Sequence, residues 1–430
     1  MSPACVVGSG AREHALALAL ARSADVVATP GNPGITGLSA EGHRLSSVGA
    51  PPEEIEADLF VIGPEAALVD GLADRLRGLG RLVFGPGADG ARIEGSKQFM
   101  KQLCSRAGVP TAAWGSFENT ARATSFLRSL PGPYVVKTDG LAGGKGVLVT
   151  AELGEAEEDV AAKLSGVSFG DAGRRVVIEE ALTGRELSLF CVCDGKGAVA
   201  LCPAQDYKRV GDGDSGPNTG GMGALCPVPG AGQHFFVGEV LERIVLPTLK
   251  ALRSQSVDYR GLLYAGLMLT EDGPKLIEFN ARFGDPETEV VLPLFEGDLF
   301  ALLRAAAEGD ISRAGANLSA LVPTARARAS REAAVCVVAA SPGYPGNPAT
   351  GSPISGIEEA DSVEGVTVFH AGTRRDPSGA LRTAGGRVVC VSAVGPDHRS
   401  ARALAYGAIE RVSFEGMHYR SDIARDAPTS

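Results

Sequence analysis

Residues 276–289 read LIEFNARFGDPETE, and three of them could do ionic chemistry together. If Leu276 and Ile277 open a strand, Glu278 and Asn280 share one of its faces and Arg282 follows on it. A carboxylate and an amide oxygen suit a magnesium-class cation held between protein and phosphates. A guanidinium beside them suits bidentate contact with a phosphoryl group. A polar strand end closed by a salt bridge is the plain alternative.

Phosphate-binding features lie upstream. A strand expected over 134–137 opens into TDGLAGGKGV, where Gly143, Gly144 and Gly146 surround Lys145. Backbone N–H groups in such a loop can approach phosphates closely, with the lysine as a point charge. It is no Walker loop, because no Ser or Thr follows the lysine and 147–149 read as strand. A mobile flap over a nucleotide and a plain glycine hairpin are both open readings. Ser96 caps an expected helix that carries Lys97 and ends at Gly108 before Pro110. A strand over 176–182 carries Glu179 and Glu180, with Glu186 shortly after. Residues 205–224, QDYKRVGDGDSGPNTGGMGA, combine glycine with Asp206, Lys208, Arg209, Asp212 and Asp214. That composition predicts a long structureless loop with no core of its own, kept for function.

The elements that must position these residues begin with a parallel sheet. Strands expected at 4–7, 25–28, 59–62 and 82–84 alternate with helices, which predicts an α/β, doubly wound N-terminal domain. Its first helix, 12–22, buries Ala15, Leu16, Ala19 and Leu20 on one face. The strands run into GSGARE, TPGNPG and GPEAALVDG, at the carboxyl edge where open α/β sheets bind ligands. A dinucleotide is disfavoured: the third glycine of GxGxxG falls at Glu13, and the second strand ends without an acidic residue. A small anion at the helix start fits better. Further helices are expected at 154–164, 238–252, from Pro286 through Ala307, and at 397–412. Further strands are expected at 187–193, 198–202, 263–269, 275–279, 333–339, 366–369 and 387–394.

With 430 residues the chain has room for about three domains. A net charge of −10 argues against nucleic-acid or acidic-membrane partners, and no apolar run approaches the roughly 20 residues of a membrane span. Arg12, Glu13 and His14 interrupt any signal-peptide core. The eight cysteines are scattered without a CxxC pair, which predicts reduced buried thiols and a cytoplasmic protein. His14 could be a pocket contact or a structural histidine, and His370 reads as structural.

The strings GSGAREHA, PGNPG, GPEAALVDG, EGSK, VVKTDGLAGGKGV, FGDAG, VIEE, QDYKRVGDGDSGPNTGGMGA, YAGLM, IEFNARFGDPET, GYPG, FHAGT and GGRVVCV occur in one order along the chain. In these the sequence closely resembles the phosphoribosylamine–glycine ligases (glycinamide ribonucleotide synthetases) of the ATP-grasp superfamily. Members commonly carry LAAGKG where this chain has LAGGKG, and Gln where Glu289 stands. The resemblance implies ligation of glycine to 5-phosphoribosylamine with ATP and Mg2+ or Mn2+, through glycyl phosphate, in purine synthesis. It implies an N-terminal domain over 1–98, an ATP-grasp domain over 99–325 with a lid near 111–186 and a central domain, and an α+β C-terminal domain over 326–430. Lys97 and Lys137 would contact the nucleotide phosphates, and the loop of Lys145 would close over them. Glu179, Glu180 and the backbone of Leu182 would meet the adenine, Glu186 the ribose, and Glu278 and Asn280 the metal. Arg282 would clamp the phosphoryl group in transfer. Gly10, Arg12, Glu13, Asn32, Gly63, Pro64 and Glu65 would form the phosphoribosylamine pocket. Asp206, Lys208, Arg209, Asp212, Asn218, Gly221 and Met222 would form the acceptor region. A monomer or weak homodimer is expected.

Overall fold

The computed structural model describes residues 3–141, 146–166, 173–229, 234–314 and 332–427. Its first sheet centres on Ala4–Gly8, flanked in parallel by Val26–Pro30 and Leu59–Ile62. Arg44–Ser47 and Val83–Phe84 extend it in parallel, and Gly37–Leu38 closes one edge antiparallel. Ala4–Gly8 and Leu59–Ile62 are buried throughout, as apolar runs in a parallel sheet covered on both faces must be. The helix Ala11–Leu20 is buried on nearly every side, not on one face as its spacing predicts. Its far side is covered by the C-terminal part of the chain, where the His14 ring meets Phe369 edge-on at 5.7 Å.

The second sheet is antiparallel, in the order Trp114–Phe117, Val176–Glu180, Tyr134–Thr138, Val147–Thr150. Helices Thr120–Leu127 and Leu153–Leu164 cover it with a small core of their own, built on Ala123, Leu127, Val136, Ala156, Val160 and Ile178. The third sheet orders Ala198–Ala200, Arg185–Asp194, Arg260–Thr270 and Gly273–Asn280, all antiparallel. The helical run from His234 to Ser254 is continuous but widens into a π turn at Leu241–Val245. Pro247 follows at once, and a residue without an N–H cannot complete the regular hydrogen-bond ladder.

Two expectations need correction. The glycine-rich segment is not structureless: Gln205–Asp206 and Gly223–Cys226 are strands of a fourth sheet, and Arg209–Gly211 pairs with Ser215–Asn218 as a ribbon. Nor is it coreless, because Met222, Ala224 and Leu225 are buried. The fourth sheet continues through Ala333–Ala340, Arg387–Gly395 and Val366–His370, so it joins the segment to the C-terminal part. The single helix expected after Pro286 is two, Thr288–Val291 and Leu299–Glu308, separated by Pro293 and Gly297. Asp298 starts the second by accepting a hydrogen bond from the Ala301 N–H.

Candidate functional site

The sheets converge on a cavity of about 1210 Å³. Its floor is the strand Gly273–Asn280, which presents Glu278 and Asn280 to the space. The helix Lys97–Ala107 brings Lys97, with Ser96 capping it through the Phe99 N–H and Gly108 ending it in the left-handed region. The second sheet supplies Lys137 and Glu179 from neighbouring strands, and Glu180, Leu182 and Gly146 lie on the same wall. Gly143, Gly144 and Lys145 fall outside the described residues.

Glu179 is buried and shared by two cations, with Lys137 Nζ at 2.8 Å and Lys101 Nζ at 2.6 Å. Burial lowers the pKa of Lys101, which faces one carboxylate and a second cation. Burial also works against the charge on Lys137, but Glu179, Glu278 and Glu186 outweigh it and raise its pKa. Burial alone would raise the Glu278 pKa, yet Lys97, Lys137, Lys208 and Arg282 together hold it below the ordinary carboxylate value. Glu278 therefore stays ionised at neutral pH. Lys208 donates to both Asp206 oxygens at 2.8 Å and lies 3.2 Å from Glu186. The cavity is thus lined by alternating carboxylates and ammonium groups. Such a field stabilises a polyanion once a cation and mobile phosphates replace the internal pairs.

Arg282 sits between domains, 3.0 Å from Glu94 and 3.4 Å from Glu65. Glu94 also accepts the Ala281 N–H at 2.7 Å, which fixes the chain just past Asn280. Arg12 reaches the cavity wall and donates to the Phe283 carbonyl at 3.2 Å.

Of the other residues expected in the pocket, Glu65, Arg209 and Asn218 line the cavity, while Gly10, Glu13, Asn32, Gly63 and Pro64 do not. Glu13 turns inward, accepting from the Gly10 N–H at 2.6 Å and from Arg12 Nε at 2.6 Å. Any side chain at Gly8 or Gly63 would collide with it, and Gly8 also has a φ of +128°. The Asn32 amide donates to the Ser9, Gly10 and His370 carbonyls and ties the first loop to the C-terminal sheet. Gly221, Met222 and Asp212 also stand off the cavity: Met222 is buried, and Asp212 accepts from the Ser421 N–H at 2.8 Å. His14 is structural, since its Nδ1 accepts the His370 N–H at 3.0 Å and burial lowers its pKa to about 3.

Sequence reasoning missed three features. Lys101 stands four residues beyond Lys97, so helical spacing already put both on one face. Glu94 lies within EGSK but on a helix, Ala88–Gly95, with little apolar signal. Tyr264, Ser188 and Glu287 form a buried network, with Tyr264 Oη 2.6 Å from Ser188 Oγ and 2.5 Å from Glu287 Oε1. Tyr264 and Glu287 lie within YAGLM and IEFNARFGDPET, but nothing local in the sequence shows that they meet Ser188.

A carboxylate and amide floor, a lysine-bearing antiparallel sheet above it and a parallel domain beside it define an ATP-grasp protein. The family models agree: phosphoribosylglycinamide synthetase N domain matches residues 3–94, its ATP-grasp (A) domain 95–288 and its C domain 334–426. The chain is 47% identical over 425 residues to a phosphoribosylamine–glycine ligase of Caulobacter vibrioides, covering 97% of this chain and 96% of that one. It is 47% identical over 432 residues to the ligase so named in Streptomyces coelicolor, covering 98% of each. The crystal structure of the Thermotoga maritima phosphoribosylamine–glycine ligase superposes with a TM-score of 0.79 at 34% identity, covering 98% of this chain and 100% of that one. The biotin carboxylase domain of Hydrogenobacter thermophilus 2-oxoglutarate carboxylase shares the fold, with a TM-score of 0.67 at 16% identity over 97% of this chain and 91% of that one. The chain belongs to the phosphoribosylglycinamide synthetase family.

Proposed function

We propose that this chain joins glycine to 5-phosphoribosylamine with ATP, giving glycinamide ribonucleotide, ADP and phosphate in purine biosynthesis. The observation that carries the reading is Glu278, ionised beside Asn280 on a cavity floor faced by Lys97, Lys137 and Lys208. The donor set fits a hard divalent cation, because both groups offer oxygen and the carboxylate is charged. Mg2+ or Mn2+ bound there would supply charge neutralisation between two anions.

The glycine carboxylate attacks the γ-phosphorus, an O–P bond forms, and ADP leaves with the electrons of the broken bond. No strong base is required, since the nucleophile is ionised at neutral pH. Anion must meet anion, so Lys97, Lys137 and Arg282 lower that barrier by placing positive charge beforehand. The amine of phosphoribosylamine then attacks the acyl carbon of glycyl phosphate, phosphate leaves, and the amine loses a proton. The wall of Glu179, Glu180, Leu182 and Glu186 takes the adenosine, with Glu179 acting through the lysines it holds. An acyl phosphate hydrolyses in water, so this chemistry requires a site from which water is excluded. The Arg12 and Glu65 side takes phosphoribosylamine, and the Asp206–Met222 segment takes the acceptor end. Eight free cysteines suit a reducing compartment, and we assign the enzyme to the cytoplasm as a monomer or weak homodimer.

The test is Glu278→Ala. Ligation should fall by roughly 10²- to 10³-fold, the scale of removing one preorganised electrostatic group, with an unchanged circular dichroism spectrum. Near-normal turnover would overturn the assignment of the metal pair.

A further inference from the structure

Glu289 has surroundings that are unusual for a carboxylate. It sits on the short helix Thr288–Val291 with no exposed surface. Neither of its carboxylate oxygens has a hydrogen-bond partner. A buried carboxylate with no donor must be neutralised by a proton or by a cation, because leaving it bare costs far more than a fold can offset. Two further potential ligands converge on it. Oxygens of Asp285 and Glu289 and the Cys390 sulfur all lie within 4.8 Å of one another. Among the described residues no other set of three or more His, Cys, Asp or Glu ligand atoms is grouped in this way. The Cys336 thiol lies on Ala333–Ala340, the strand paired with the one that carries Cys390.

We propose that Asp285, Glu289 and Cys390 hold a thiophilic divalent cation of the zinc or cobalt class, separate from the all-oxygen pair Glu278 and Asn280. The nearest protein cation, Arg387, is already engaged: its Nη1 lies 3.0 Å from Asp285 Oδ1 and donates to the Gly220 carbonyl at 2.7 Å and the Asp285 carbonyl at 2.8 Å. Two carboxylates and a thiolate against that one guanidinium leave two negative charges, which a divalent ion cancels. Binding displaces the Cys390 thiol proton to solvent, so the ion binds more tightly as pH rises. Mixed sulfur and oxygen donors select zinc-class ions over magnesium. Asp285 and Arg387 both line the large cavity, which gives the ion a path in. The ion would pin the helix Thr288–Val291 to the C-terminal sheet, next to the chain that leaves the proposed catalytic strand.

Cobalt titration of the metal-stripped full chain tests this. Wild type should develop a near-ultraviolet thiolate-to-cobalt charge-transfer band that saturates at one equivalent. Cobalt on Glu278 and Asn280 gives no such band, because no sulfur is present there. Cys390→Ser should abolish the band, which also excludes the Cys202 and Cys226 thiols as its source. Glu289→Gln, an isosteric change that removes the charge, should weaken cobalt binding by roughly 10- to 100-fold or more while magnesium-supported ligation persists. Absence of the band in wild type means that Glu289 is buried as a neutral acid and overturns the proposal. So does an unchanged titration in Glu289→Gln, with thermal unfolding confirming that each variant is folded.

Discussion

Glu179 takes one lysine from a helix and one from a sheet, and this sharing sets the charge at the nucleotide end of the cavity. Lys101 has no exposed surface and spends its ammonium group on Glu179 and on Thr111 Oγ1 at 2.7 Å. Without Lys101, Glu179 keeps Lys137, so the cost stays below the about 3–5 kcal/mol of leaving a buried charge wholly unpaired. Lys101→Met should therefore lower the thermal midpoint by several degrees and raise the KM for ATP through Lys137, which then has Glu179 to itself. Scanning calorimetry and ATP titration check this, and a midpoint within a degree of wild type would contradict it. At this scale the sequence was most legible where a residue type is costly to bury without purpose. Glu278, Asn280, Lys97 and Lys137 all line one cavity. It was least legible where a polar side chain serves the backbone. Glu13 and Asn32 sit in glycine-rich loops that suggest ligand contact, but their side chains hold those loops in shape.

Elements were legible where their ends carry chemical marks. Ser96 and Gly108 bound the helix Lys97–Ala107 as its cap chemistry requires, and continuous apolar runs became the buried strands of the first sheet. The segment 205–224 was not, because its short strands carry little apolar pattern and its last strand pairs with residues more than a hundred positions away, as in Ala224 with Cys336. Propensity has no access to such a partner. Gly221 shows how tightly this segment is placed. It has a φ of +115°, and a side chain there would press on the Pro286 ring. Gly221→Ala should shift the acceptor segment away from Glu287. With backbone strain of about 1–3 kcal/mol, kcat/KM for phosphoribosylamine should fall roughly 10-fold or more, while the Kd for ATP stays near wild type. Equal losses for both ligands would indicate general unfolding instead.

Across the whole molecule, the fourth sheet decides what can fold alone. Gly223–Cys226 hydrogen-bonds to Ala333–Ala340, and Arg387 reaches back to Gly220 and Asp285. A chain ended at residue 325 loses those partners and exposes Met222, Ala224 and Leu225, which are buried in the full protein. That fragment should aggregate or unfold without a cooperative transition, and should release no phosphate from ATP. A soluble fragment with a sharp thermal transition would show that the third sheet stands without the fourth. The multidomain α/β class was legible from alternating strands and helices, but the sheet that crosses from 205–226 to 333–395 was not, since backbone pairing across so long a separation leaves no local trace.

The central claim is that the cavity couples ATP cleavage to amide formation between two particular substrates. It is tested most directly by phosphate release from ATP with glycine and freshly generated phosphoribosylamine, each omitted in turn. The account predicts steady release only when both are present, in step with glycinamide ribonucleotide. Release that continues unchanged without either substrate would contradict it.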